Sequence, residues 1–167
     1  MSACAAILLS LIAATSGHGD ARLEIELAHA SMVVGEAPLL TIRLRNTSAG
    51  RLWVNTRFGV NSESAVPDFR DVWFDIVGPD GRRLNFDCQV KGRLATASDY
   101  RIVQPGDWVG TVDSLSCFKI GLPGTYRIAV KYRDGNSTPP PAPLRSVHLT
   151  EQIESNQVQL RVLPSTP

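Results

Sequence analysis

The sequence predicts an all-β fold, an antiparallel β-sandwich of about eight or nine short strands. Three observations carry this. Apolar residues recur with a period of two rather than 3.6 from Ala21 onward, Gly, Pro, Asn and Asp punctuate the alternation at short intervals, and no amphipathic helical stretch interrupts it. With 167 residues, the chain is long enough for one well-filled core and short for two.

The strands can be taken in order. Leu23, Ile25 and Leu27 alternate with Arg22, Glu24 and Glu26, and Leu40, Ile42 and Leu44 alternate with Thr41, Arg43 and Arg45. The polar run Asn46-Thr47-Ser48-Ala49-Gly50 then supplies turn chemistry before the strand RLWVNT. Val72, Phe74 and Ile76 mark the next strand. It ends in Gly78-Pro79-Asp80-Gly81, whose Asp-Gly pair predicts a hairpin with RRLNF returning. Residues 100–103 and 108–112 flank the turn Gln104-Pro105-Gly106-Asp107. GLPGTYRIAVKY follows, with Tyr126, Ile128, Val130 and Tyr132 on one face, and Val158, Leu160 and Val162 close the chain. Two segments, 57–70 and 135–155, exceed ordinary connection lengths. Prolines at 139–141 favour polyproline II and oppose sheet pairing there. These two loops are the expected partner surface, through Phe58, Asp68, Phe69, Pro140 and Arg145.

Residues 1–19 differ from the rest. AAILLSLIAA, from Ala5 to Ala14, is too short for a membrane-spanning helix and suits the apolar region of a signal peptide, with small residues at Ala14-Thr15-Ser16 for cleavage. No Lys or Arg precedes it. Residues 1–19 are therefore expected to be a signal peptide and 20–167 a single exported domain, periplasmic or extracellular, with no membrane span after cleavage. Export leaves Cys88 and Cys117, with 28 residues between them, as an expected disulfide. On a chain-entropy basis it stabilises the fold by ~3–4 kcal/mol. Lys119 would share the side of Cys117, a weak argument for a reactive thiol that the paired, exported context outweighs.

Charge and motif content narrow the function by exclusion. The net charge is +1, from 17 basic and 16 acidic residues, without a basic stripe for nucleic acid. His18, His29 and His148 are isolated from one another and from cysteine, no His-Glu-x-x-His or Gly-x-Ser-x-Gly occurs, and no D-x-D-x-D-G loop gathers Asp68, Asp71, Asp75, Asp80 and Asp87 around calcium. The aspartates read as solvated strand and turn residues. No enzyme, metal or cofactor is expected. Trp53, Trp73 and Trp108 would make a glycan-stacking platform if all three faced solvent.

GLPGTYRIAVKY, together with GEAPLLTIRLRNTS and QPGDWVGTVDSL, resembles small exported bacterial immunoglobulin-like proteins, most of them without an assigned function. The run from Tyr100 to Tyr132 is also similar to the β-sandwich domain preceding the catalytic domain of deuterolysin-type lysine-specific metalloendopeptidases. A fainter similarity is to small β-sandwich proteinase inhibitors of bacteria. The resemblance implies Greek-key connections and a tyrosine-corner role for Tyr126, its hydroxyl bonding back to the preceding connection. The peptidase's zinc motif and catalytic domain have no counterpart here. The expected function is a non-enzymatic binding or accessory module for a protein partner. A proteinase inhibitor using the Pro-rich loop and a carbohydrate-binding module are the alternatives.

Overall fold

Alternation of buried and exposed residues sorts the chain into strands nearly everywhere the sequence predicts them. The computed structural model describes residues 19–62 and 67–165, so the expected signal peptide lies outside the described residues apart from Gly19. Among the described residues there are eleven strands: β1 (Ala21–Leu27), β2 (Ser31–Val33), β3 (Leu39–Asn46), β4 (Arg51–Asn55), β5 (Val72–Val77), β6 (Tyr100–Val103), β7 (Trp108–Ser114), β8 (Gly124–Tyr132), β9 (Ser146–His148), β10 (Ile153–Glu154) and β11 (Val158–Leu163). Single turns of 3-10 helix occupy Pro67–Phe69, Ala97–Asp99 and Leu115–Cys117. No helix among these residues is long and apolar enough to cross a membrane.

The strands form three hydrogen-bonded sheets. In the first, β3 lies between β1 and β7, antiparallel to both. In the second, β5 runs along one edge of β8, while β10 and β11 share the other, and β2 pairs beyond β11. In the third, β4 lies between β6 and β9. Leu40, Ile42 and Leu44 of β3, Tyr126, Ile128, Val130 and Tyr132 of β8, and Leu52 and Val54 of β4 meet in one apolar core. This all-β arrangement is broadly compatible with an immunoglobulin-like sandwich.

Two pairings depart from the antiparallel expectation: β2 runs parallel to β11, and β9 parallel to β4. Both come from three-residue strands whose sequences, SMV and SVH, are too short to show a period. The segment 135–155, expected to be an unpaired connection, contains β9 and β10, although its prolines stay outside strands. The predicted RRLNF return strand does not form. The Gly78 N–H bonds the Arg82 carbonyl and the Leu84 N–H bonds the Ile76 carbonyl, but the chain then leaves β5. Phe86 instead bridges Phe118, and the Asp87 N–H bonds the Cys117 carbonyl. The Cys88–Cys117 disulfide, with Cα atoms 5.1 Å apart, fixes that diversion.

Tyr126 is buried. Its hydroxyl donates to the Leu122 carbonyl and accepts from the Leu122 N–H, both at 3.0 Å, tying β8 to the turn that enters it. Gly110 is required for the register of β7: a Cβ there would fall 2.2 Å from the Ile42 carbonyl oxygen. Among the described residues β7 is paired only on its β3 side, and it carries Asp113 on the same side of the sheet as the core residue Leu40. A charge so placed discourages a second sheet from docking on that edge. Burial raises the Asp113 pKa. Because its folded-state pKa lies above the unfolded value, the ionised carboxylate costs stability at neutral pH, and that cost fades as the pH falls through the folded value. Asp113→Asn is therefore expected to raise the urea midpoint at pH 7, with the difference from the parent shrinking at acid pH. An unchanged midpoint at pH 7 would contradict this.

Candidate functional site

The two long connections meet at one end of the fold, and a buried polar network determines how. Asp71, immediately before β5, is fully buried. Its carboxylate takes a forked pair of bonds from Arg57, Nε to Oδ2 at 2.7 Å and Nη2 to Oδ1 at 2.8 Å. It also accepts the Gly59 N–H at 2.8 Å and the Gly135 N–H at 3.2 Å. Asp134, just after β8, is the second centre. It accepts the Tyr100 hydroxyl at 2.7 Å, the Asn136 N–H at 3.0 Å, and lies 2.7 Å from the His148 Nε2. Asn55, the last residue of β4, links the two: its amide nitrogen donates to Asp71 at 3.1 Å and to Asp134 at 2.8 Å. The Tyr132 hydroxyl closes the set on the Asn55 carbonyl at 2.7 Å. Burial foremost, with the bond to Asp134, raises the Tyr100 pKa, and burial raises that of Tyr132. Both phenols remain donors at physiological pH.

The network carries the loops on its outer side. The Arg57 Nη2 also donates to the Asp68 carbonyl at 2.9 Å, and its Nη1 to the Arg93 carbonyl. The Ser137 hydroxyl donates to the Asp68 carboxylate at 2.6 Å. Gly135 packs so closely on this loop that a Cβ would lie 2.2 Å from the Arg70 carbonyl oxygen. The Phe69 ring leaves no room for a side chain at Gly92, and Arg93 forms a forked ion pair with Asp99. That pairing with Arg93 holds the Asp99 pKa far below the usual carboxylate range. Residues 57–62 and 67–70, 92–99 and 134–137 thus meet at the Asn55 end of β4, whereas Leu144 and Arg145 lie at the opposite end of that strand, beside Arg51.

Of the expected contact residues, Phe58 is the clear correction. It is buried in the core with its ring 5.6 Å from that of Tyr132, so it supports the loop instead of meeting a partner. Asp68 and Phe69 are half-buried in the loop junction, and Pro140 is half-buried further along the second connection. Arg145 is exposed with φ of 64°, beside Leu144, which is 91% exposed. Arg51 donates to the carbonyls of both Leu144 and Arg145, fixing this tip.

The aspartates do not converge on a cation. Asp75, Asp80 and Asp87 pair with Arg83, Arg82 and Lys119 respectively. Among the described residues no group of three or more His, Cys, Asp or Glu could hold a metal. Asp71, expected to be solvated, is the buried centre described above. The tryptophans are divided among three sheets, so no common stacking platform exists. Trp53 stacks on Tyr100 at 5.5 Å, Trp73 lies under Arg70 and Arg133, and Trp108 alone is largely exposed.

Sequence reasoning missed an open cleft of about 250 Å³ on the flank of the loop end. Its walls are residues 60–62 with Arg70 on one side and 84–86 on the other. Trp73, Phe74, Phe86 and Phe118 give it an aromatic lining. Phe118 is the hub, 5.3 Å from Phe74 and 5.6 Å from Phe86. The signal for it was present in part: three of these aromatics flank the failed hairpin and the cysteine pair.

No family model matches the chain, and no curated protein matches it in sequence. Among solved structures, it is similar to the CARDB domain of the PF1109 protein from Pyrococcus furiosus, crystallised in complex with di-metal ions. The identity is 10%, the TM-score 0.42, and the match covers 87% of this chain and 94% of that one. A likeness this distant bears on neither the fold nor the metal content of this chain.

The network yields a stability prediction. Asp71→Asn removes the charge that neutralises Arg57, whose side chain is only 7% exposed. The expected loss is about 3–5 kcal/mol by chemical denaturation, partly recovered in the Asp71→Asn, Arg57→Met double variant because no buried charge is then left alone. A loss below 1 kcal/mol would place the pair outside the fold's essential interactions.

Proposed function

We propose that the protein is an exported, immunoglobulin-like β-sandwich acting as a non-enzymatic binding module, and that it meets a partner protein through its two long connections. The observation that carries this reading is the shared anchoring of both connections by Asp71, Asn55 and Asp134. Long loops on a domain surface ordinarily carry a large ordering cost on binding. Here their bases are already fixed, and Arg51 holds the second connection again at the opposite end of β4, so that the exposed Leu144 and Arg145 are displayed on a rigid support. A protein partner is favoured over a glycan because the tryptophans share no face. His148 bonds a buried carboxylate and, among the described residues, no hydroxyl or thiol nucleophile.

The reading is tested by placing a photo-crosslinking amino acid at position 140 or 145 and, as a control, at the remote exposed position 26. The protein is then irradiated in cells that export it. A discrete adduct from 140 or 145 but not from 26 is expected. Absence of any adduct, or equal labelling from all three positions, would overturn it.

A second reading, a proteinase inhibitor, has one observation in its favour: Arg51 clamps the carbonyls around the exposed Leu144-Arg145 tip, as a cleavage-resistant loop requires. Against it, the positive φ of Arg145 departs from the extended backbone that a protease cleft grips. Micromolar protein is expected to leave a panel of serine proteases, including one cleaving after arginine, uninhibited. Inhibition with loop 139–145 intact would promote this reading over the first.

A further inference from the structure

The cleft beside β5 is more specific than an apolar depression, because it coincides with a gap in a sheet edge. In an antiparallel pair, successive residues turn their N–H and C=O alternately toward and away from the partner strand. On β5, the Val72 N–H donates away from β8 to the Gly59 carbonyl at 3.1 Å, and the Ile76 carbonyl accepts away from β8 from the Leu84 N–H at 2.8 Å. Phe74 lies between them with the same parity, so its N–H and C=O face the same open side. Residues 60–62 depart from the edge after the Val60–Val72 bridge, and residues 83–84 arrive only at the Val77–Arg83 bridge. No strand of the described residues lies along Phe74 on that side. The cleft is the space so left.

From this we infer that the cleft binds a short extended peptide from a partner protein, which adds to the β5 edge at Phe74. Its chemistry follows from the two walls that an added strand would meet. Side chains along a strand alternate between faces. One face of the gap presents Phe74, Phe86 and Phe118, with ring centroids within 5.6 Å of Phe118. The other presents Trp73, with the Arg70 guanidinium 4.7 Å and the Arg133 guanidinium 5.6 Å from its ring centre. Arg133 is exposed. Asp75, paired with Arg83, lies on the Trp73 face one step beyond Phe74, so the matching antiparallel sequence is an aromatic or large aliphatic residue followed directly by an acidic one, the first entering the phenylalanine wall and the second meeting the guanidiniums at Trp73. Main-chain bonding at the edge supplies affinity and the two pockets supply selectivity. A free aromatic acid would satisfy both walls but not the edge, and this distinguishes a peptide from a small ligand.

This inference rests on the binding reading above for its class of partner, but its readout is separate from the loop tip. The probe is a blocked pentapeptide, Thr-Val-Phe-Glu-Thr, which in antiparallel addition sets Phe opposite Phe74 and Glu opposite Trp73, carrying a fluorophore and measured by polarisation against the intact protein. Saturable binding is expected. It should weaken at least about tenfold when Phe is replaced by Ala, when Glu is replaced by Lys, or when the Phe amide is N-methylated. Arg133→Glu in the protein should reverse the preference between Glu and Lys, and this exposed substitution leaves folding intact. No saturable binding up to millimolar protein would overturn the proposal. So would full affinity for the N-methylated peptide, which would assign the cleft to side chains or small acids without strand addition. Failure here with a positive crosslink at 140 or 145 would leave the second long connection as the binding surface and the cleft without a peptide role. Peptide binding without that crosslink would do the reverse.

Discussion

The fold depends on two carboxylates held apart by one amide. Asp71 and Asp134 sit at the start of β5 and just beyond β8, antiparallel neighbours, so the register of that pair brings two negative charges to one end of the sheet. Left alone, two buried anions would repel and would lose their hydration. Asn55 resolves this by donating one N–H to each, while Arg57 neutralises Asp71 and backbone amides from Gly59, Gly135 and Asn136 fill further lone pairs. Tyr100 and His148 complete Asp134 from β6 and β9. The third sheet is thereby attached to the second by hydrogen bonds as well as by apolar contact. Because the groups come from several elements, the geometry is satisfied only when β4, β5, β6, β8 and β9 are all in place.

A second constraint acts at the other side of β5. A Gly-Pro-Asp-Gly turn begins a hairpin, and local chemistry alone would continue it. The covalent link between Cys88 and Cys117 and the Phe86–Phe118 bridge hold the returning chain to a different segment. Local preference loses because the hairpin offers only a few exposed ladder bonds, each worth about 1 kcal/mol net. The disulfide and an aromatic cluster together are worth more. The cleft is the geometric remainder of that competition, and its walls are aromatic because the diverted segment needs apolar anchors to stay down.

The sequence made the long strands legible for a simple reason. β1, β3, β8 and β11 each have one face in the core, so their apolar residues alternate strictly. The disulfide was legible from the even cysteine count that the expected export leaves. What escaped shares one property: it depends on neighbours distant in sequence. β2, β9 and β10 are two or three residues long and exist because an edge was available to pair with. Asp71 and Asp134 stand at strand ends, where an aspartate ordinarily marks a solvated turn, and nothing within ten residues of either announces burial. Phe58 failed in the opposite sense, since an aromatic in a polar loop looks like a contact residue until its ring is found against Tyr132.

Rigidity links the buried network to the exposed loops. Loops that carry binding residues are usually mobile, and ordering them on contact offsets part of the affinity. Here Arg57 spans the junction of three connections, bonding Asp71, the Asp68 carbonyl and the Arg93 carbonyl with one planar group. Lysine could not substitute, because its single ammonium lacks the fixed fork that reaches three acceptors in different directions. The same guanidinium that secures the fold's buried carboxylate therefore also sets the shape of the exposed end. Stability and surface geometry are coupled through a single side chain: a change that loosens Arg57 disturbs the buried carboxylate and the loop surface together.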